Sequence, residues 1–199
     1  MRMVLMGPPG AGKGTQGKRL AAEFGGAHVA TGDLFRANAE RGTELGRIAQ
    51  EYMDRGDLVP DDIVIAMVTE RLAEPDARGD FVLDGFPRTV PQAEALDRRL
   101  AELGLPLQAA LNFEISKDEL LRRLAGRAKQ EDRAEDEDAE AIERRLESFV
   151  NDTRPVVDYY DRQGKLLHVD AMGQVDEVTK RIIDELASRG LTSRDHGAR

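Results

Sequence analysis

Cysteine and tryptophan are both absent from this 199-residue chain. Without thiols there is no disulfide framework and no thiolate metal site. The three histidines are scattered, so no histidine-built zinc set is expected either. Long apolar runs are missing too. No segment approaches the roughly 20 residues that span a bilayer, and "MRMVLMGPPG" is broken too soon to act as a secretory signal. Positive charge is in deficit: the formal net charge is -9. That disfavours a nucleic-acid binder working by bulk electrostatics. It leaves room for a small anionic ligand held by a local cluster of arginines. What is present, 40% hydrophobic and 34% charged residues, is enough apolar material for a packed core. The expectation is a soluble, cytoplasmic protein with one core.

Short apolar runs alternate with helical patterns, which is the mark of an α/β fold with a parallel sheet. Five runs read as strands: "MVLM" at Met3–Met6, "AHVA" at Ala27–Ala30, "FVLD" at Phe81–Asp84, "AALNFE" at Ala109–Glu114 and "LLHVD" at Leu166–Asp170. Helices are predicted over Lys13–Phe24, Val90–Leu103, Lys117–Gly126 and Val175–Arg189. A long pattern from Ala139 carries Ile142, Leu146, Phe149 and Val150 on one stripe, and Pro155 should interrupt it. Two segments break the alternation. Residues 30–59 hold two short helical patterns and no strand. "QEDRAEDEDAE", from Gln130 to Glu140, has seven acidic residues and little to bury, so an exposed loop is expected. The tail, 189–199, has no periodicity and is expected to fray.

The first strand feeds "GPPGAGKGT", Gly7 to Thr15. Strand, glycine-rich turn and helix together make a phosphate-binding loop. Glycines let backbone N–H groups converge on phosphate oxygens, the helix N-terminus adds its dipole, and Lys13 supplies a cation. The residue after Lys13 is Gly14, where the common pattern has a Ser or Thr that ligates magnesium; Thr15 comes one place late. A second feature, "DGFPR" at Asp84–Arg88, ends the third strand. Asp84 is either a magnesium carboxylate facing the loop or the start of a plain turn.

"GPPGAGKGT", "TGDLFR" (Thr31–Arg36), "GDLVPD" (Gly56–Asp61), "DGFPR" and the Tyr159–Tyr160 pair follow one another in the order and spacing of adenylate kinases. Over residues 1–188 the chain resembles the bacterial, short-lid type. The resemblance implies a phosphate-loop three-layer fold around a five-stranded parallel sheet. It implies a core of residues 1–29, 60–126 and 138–188, an AMP-binding insertion at 30–59 and a short lid at 127–137. It implies phosphoryl transfer from ATP to AMP, giving two ADP, with Mg2+ and with no structural zinc. A monomer is favoured.

The resemblance also assigns residues. Gly10, Ala11, Gly12, Lys13, Gly14, Thr15, Arg127 and Gly173 would hold ATP. Thr31, Arg36, Asp57, Leu58, Val59, Gly85, Phe86, Pro87, Arg88, Gln92, Arg133 and Arg145 would hold AMP. Lys13, Arg88, Arg127, Arg133 and Arg145 would stabilise the transferring phosphoryl. Asp84 and Asp33 would face magnesium through its water shell.

If two nucleotides exchange a phosphoryl group, as the resemblance implies, the chemistry can be argued from the charges. Two polyanions must meet, and the attacking phosphate oxygen is already an anion, so positioning and positive charge do most of the catalysis. Arginine suits this because its planar fork grips phosphate and stays charged.

Several positions keep two readings. Gln92 either meets adenine or closes a capping box with Thr89. Thr31 either meets AMP or caps the next helix. Gly173 either touches ATP or makes a turn. An Ile-x-x-Arg-Leu pattern favours Arg145, whereas counting from Arg133 favours Arg144. Arg145 is preferred, because the apolar stripe sets helix phase while a loop absorbs an insertion. The alternatives are a kinase for CMP or UMP, which the Gln at 92 disfavours, and a non-catalytic nucleotide switch. The N-K-x-D guanine motif of switch GTPases is absent.

Overall fold

The five apolar runs assemble into one parallel sheet: β1 (Arg2–Met6), β2 (Ala27–Ala30), β3 (Phe81–Asp84), β4 (Ala109–Glu114) and β5 (Leu166–Asp170). Their order is β2-β3-β1-β4-β5. These are the features of a computed structural model that describes residues 1–131 and 139–192. Met3 to Met6 are buried on both faces of the central strand, which is why β1 reads as a continuous apolar run. Successive side chains point to opposite faces and so build two cores. Met3 and Leu5 pack with Leu20 and Phe24 of α1 (Lys13–Phe24) and Val178, Ile182 and Leu186 of α9 (Val175–Ser188). Val4 and Met6 pack with Leu96 and Leu100 of α5 (Val90–Glu102) and Tyr160 of α8 (Arg154–Asp161). Each fully buried Leu or Phe in these layers contributes about 1.5–3 kcal/mol.

The second core also takes Val64, Met67, Val68 and Leu72 from α4 (Asp61–Leu72). No sequence reading assigned that helix. Its run "IVIAMV" is apolar at every position, so no helical stripe stands out. The insertion is a helical pair, α2 (Thr31–Glu40) and α3 (Glu44–Arg55). Thr43 caps α3 by accepting the Gly46 N–H at 3.0 Å. The pair crosses backbone to backbone: a Cβ on Gly46 would stand 2.2 Å from the Asn38 carbonyl carbon.

Three boundaries differ from expectation. Helix α6 (Lys117–Glu131) continues past Gly126, so the stretch assigned to the lid begins inside a helix. Most of the acidic loop, 132–138, lies outside the described residues, as do 193–199 of the tail. After α7 (Ala139–Ser148) comes a π-helical turn at Phe149–Thr153, and only then α8. Pro155 explains it: it has no N–H for the carbonyl four residues back and clashes with it. The wider turn rotates the phase, so Val150 is 54% exposed instead of continuing the stripe, and Ala141 is the buried residue of α7. Among the described residues no helix is long and apolar enough to cross a membrane.

Candidate active site

Parallel pairing places the key segments at one edge of the sheet. Leu5 is level with Asp84, and Ala30 is level with Asp84 on the other side. The loop after β1, the turn after β3 and the start of α2 therefore emerge side by side. The chain winds to either side of β1, with β3 on one flank and β4 on the other. Crevices at such a switch point are where open α/β sheets bind ligands. Here a cavity of about 640 Å³ opens.

The phosphate loop forms one wall, through Gly10, Gly12, Lys13, Gly14 and Thr15. Gly12 caps α1 at φ 92°, a left-handed conformation that costs a side-chain-bearing residue energy. It supplies no side-chain cap, so the first turn of α1 turns its backbone N–H groups toward the cavity. Lys13 Nζ donates to the Gly7 and Pro8 carbonyls, both at 2.8 Å, which holds the ammonium over its own loop. Asp84 faces this wall. A Cβ on Gly14 would come within 3.3 Å of Asp84 Oδ2, so a larger residue after Lys13 would crowd the carboxylate. His28 Nε2 lies 3.9 Å from the same oxygen and has no hydrogen-bond partner. Burial lowers the His28 pKa, with Asp84 opposing it.

Arg88 enters from the turn after β3. Its Nε donates to the Gly85 carbonyl at 2.8 Å. Among the described residues no carboxylate lies within ion-pair distance of its guanidinium. Burial pushes its pKa down, the like charge of Arg145 pushes the same way, and Asp84 opposes. A cation held against both desolvation and repulsion is arranged for an anion that arrives from outside.

Arg145 and Arg144 part company on α7. Arg145 lines the cavity, whereas Arg144 Nε donates to the Arg55 carbonyl at 2.6 Å and its Nη1 lies 3.5 Å from Glu140. Of the two, Arg145 is the one that lines the cavity. Arg36 also lines the cavity, in an ion pair of 2.5 Å with Asp33. The resemblance gave these two separate tasks. The structure joins them in one ion pair.

A smaller cavity of about 100 Å³ adjoins the first. Asp57, Leu58, Val59, Gln92 and the apolar side chains of Phe35, Met53 and Val64 line it. Thr31, Arg36, Gly85, Arg88 and Arg145 line both cavities. Thr31 does not cap α2. Its hydroxyl donates to the Gly85 carbonyl at 3.1 Å, and it ties the insertion to the sheet edge. Gln92 closes only half a capping box: its N–H goes to Thr89 Oγ1 at 3.3 Å, but its Oε1 accepts from Arg88 N rather than from Thr89.

A family model described as "Adenylate kinase" matches residues 5–165. The chain belongs to the adenylate kinase family. It is 52% identical over 189 residues to an adenylate kinase of Thermobifida fusca (strain YX), which covers 95% of this chain and 100% of that protein. It is 46% identical over 213 residues to one from Streptomyces avermitilis (94% and 97% covered). Against one from Stenotrophomonas maltophilia (strain K279a) it is 48% identical over 183 residues (92% and 97% covered). Adenylate kinases are nucleotide-binding phosphotransferases, and the family activity is phosphoryl transfer between ATP and AMP.

Some positions assigned from the adenylate kinase resemblance stand apart from the cavities. Ala11 and Phe86 are buried in the cores, so any ligand contact would come from their backbones. Pro87, joined to Phe86 by a cis peptide bond, lines the larger cavity. Gly173 makes the turn before α9, where a Cβ would meet Glu177 Oε2 at 2.6 Å. Arg133 and the side chain of Arg127 lie outside the described part. Arg123 was missed. It lines the larger cavity, pairs with Glu119 at 2.7 Å and donates to the Ala171 carbonyl at 2.9 Å. It lies four residues before Arg127 on α6, and that one-turn spacing was the available signal. Among the described residues no group of three or more His, Asp or Glu could hold a metal. The two carboxylates that line the larger cavity, Asp84 and Asp33, nevertheless fit Mg2+, which keeps most of its waters and leans on substrate phosphates.

Proposed function

We propose that ATP lies along the phosphate loop with its terminal phosphate toward Arg88, and that AMP puts its base into the smaller cavity. Arg88, half-buried beside Arg145 with no carboxylate pair among the described residues, carries this reading. The AMP phosphate lies between Arg36, Arg88 and Arg145, and the donor phosphates between Lys13, Arg123, Arg127 and the first turn of α1. One anionic AMP oxygen attacks the terminal phosphorus in line. The new P–O bond forms as the bond to the bridging oxygen breaks, and both products are ADP. No side chain removes a proton, because the nucleophile is already ionised. Arg133 completes the charge cluster. Asp84, and Asp33 once released from Arg36, would hold magnesium through its waters, and the metal would supply charge neutralisation to the donor phosphates.

Residues 30–59 and 127–137 act as flaps that exclude water, which would otherwise take the phosphoryl group. Adenylate kinases are a standard case of such closure. The smaller cavity, with Phe35, Met53 and Val64 in its lining and Gln92 at its wall, suits adenine. A coupled assay of ADP formation with AMP, CMP, UMP and GMP as acceptors tests the whole assignment. AMP should be the best acceptor, and Lys13→Ala should lower the rate by at least ~100-fold. Preference for CMP or UMP would overturn the adenine assignment.

A further inference from the structure

Gln92 is almost wholly buried at the wall of the smaller cavity. A carboxamide has two N–H donors at one end and two oxygen lone pairs at the other. The two ends are nearly the same shape, so an unconstrained amide can exchange them by a half-turn. In this chain each end meets a group that fits only one of them. Nε2 donates to Asp61 Oδ1 at 2.7 Å, and an ionised carboxylate only accepts. Oε1 accepts the backbone N–H of Arg88 at 2.8 Å, which only donates. Reversed, the amide would set donor against donor and acceptor against acceptor. Asp61 is itself held, because its Oδ2 accepts the Thr89 hydroxyl at 2.9 Å. That hydroxyl in turn takes the Gln92 backbone N–H.

After these bonds the amide retains one N–H and one lone pair. The edge of a 6-aminopurine offers an amino N–H and a ring-nitrogen acceptor. The edge of a 6-oxopurine offers the reverse: an oxygen acceptor and a ring N–H. An amide free to turn would satisfy both. We infer that Asp61, together with the Arg88 backbone N–H, is a specificity-positioning residue that holds Gln92 in the one orientation suited to a 6-aminopurine. Asp61 touches no substrate; it acts through Gln92. The inference rests on the acceptor-base reading of the smaller cavity given above.

Asp61→Asn tests it, because an Asn side chain offers Gln92 either an N–H or a carbonyl and so removes the Asp61 half of the constraint, leaving only the Arg88 N–H against a reversed amide. The readout is the ratio of kcat/KM for AMP to that for inosine monophosphate, with ATP as donor. A ratio does not depend on what fraction of the enzyme is folded, so general damage leaves it unmoved. Asp61→Asn should lower the ratio by about ten-fold, the scale of one satisfied hydrogen bond, mainly through better use of inosine monophosphate. Gln92→Ala should lower it as well. An unchanged ratio in Asp61→Asn alongside a lowered one in Gln92→Ala overturns the inference and leaves the acceptor-base reading standing. An unchanged ratio in both variants overturns the acceptor-base reading and the inference with it.

Discussion

Replacing Arg88 by Met should make the ligand-free protein more stable and the enzyme far slower. Met keeps much of the side-chain volume and removes the charge. The loss is one hydrogen bond from Nε to the Gly85 carbonyl, worth about 1 kcal/mol. That carbonyl is not orphaned, because it still accepts the Thr31 hydroxyl at 3.1 Å. The gain is relief of the burial and of the repulsion by Arg145 that together lower the Arg88 pKa. Replacing buried charges by apolar groups stabilises by about 1–4 kcal/mol. Arg88 opens partly onto the cavity and its water, so the lower half of that range applies, about 2 kcal/mol, which leaves about 1 kcal/mol net of the lost hydrogen bond. For a chain of this length that raises Tm by about 2–4 °C. In the proposed mechanism the same guanidinium meets a phosphate, and its removal should lower kcat/KM by about 10²–10³-fold. Thermal unfolding without ligand and a coupled ADP assay read the two effects separately. AMP at ~100 times Kd should stabilise the parent by about 2.7 kcal/mol and the variant much less. A variant with lower Tm and near-parental kcat/KM would refute the reasoning, because Arg88 would then be a structural residue.

Arg145→Ala should lower kcat/KM by at least ~100-fold, whereas Arg144→Ala, which removes a bond to the Arg55 carbonyl outside the cavity, should leave most activity. Similar losses in side-by-side kinetics would contradict the assignment on α7. Glu119 is held down to about 2 by hydrogen bonds from Arg122 and then Arg123. A depressed carboxylate stabilises the fold above its unfolded pKa, and that contribution is lost as pH falls through the folded value. The Tm gap between the parent and Glu119→Gln should therefore be full above about pH 4.5 and close toward about pH 2. A gap that stayed constant across a Tm-against-pH series would show that the charge of Glu119 has no part in it.

The sheet and the phosphate loop were legible because their signals are local. A buried strand announces itself by four or five apolar residues, and the loop by glycines between a strand and a helix. Strands β2 to β5 and helix α1 begin and end where the pattern places them. Helix α4 was not legible, because its run at 63–68 is apolar at every position, which hides the buried stripe of Val64, Met67, Val68 and Leu72. The π turn moved Val150 out of its stripe, since Pro155 acts on the turn before it.

Side-chain roles at the site needed contacts across long sequence separations. Arg144 and Arg145 are adjacent in sequence, and only the packing of α7 sends one to the cavity and the other to the end of α3. Thr31 finds the Gly85 carbonyl 54 residues away, and Gln92 finds Asp61 31 residues away. A hydrogen bond depends on distance and direction between two groups, and residue type supplies neither. The sequence by itself thus determined the family, the strands and the loop that grips phosphate. The tertiary structure decided which arginine lines the cavity, and which way round the Gln92 amide is held.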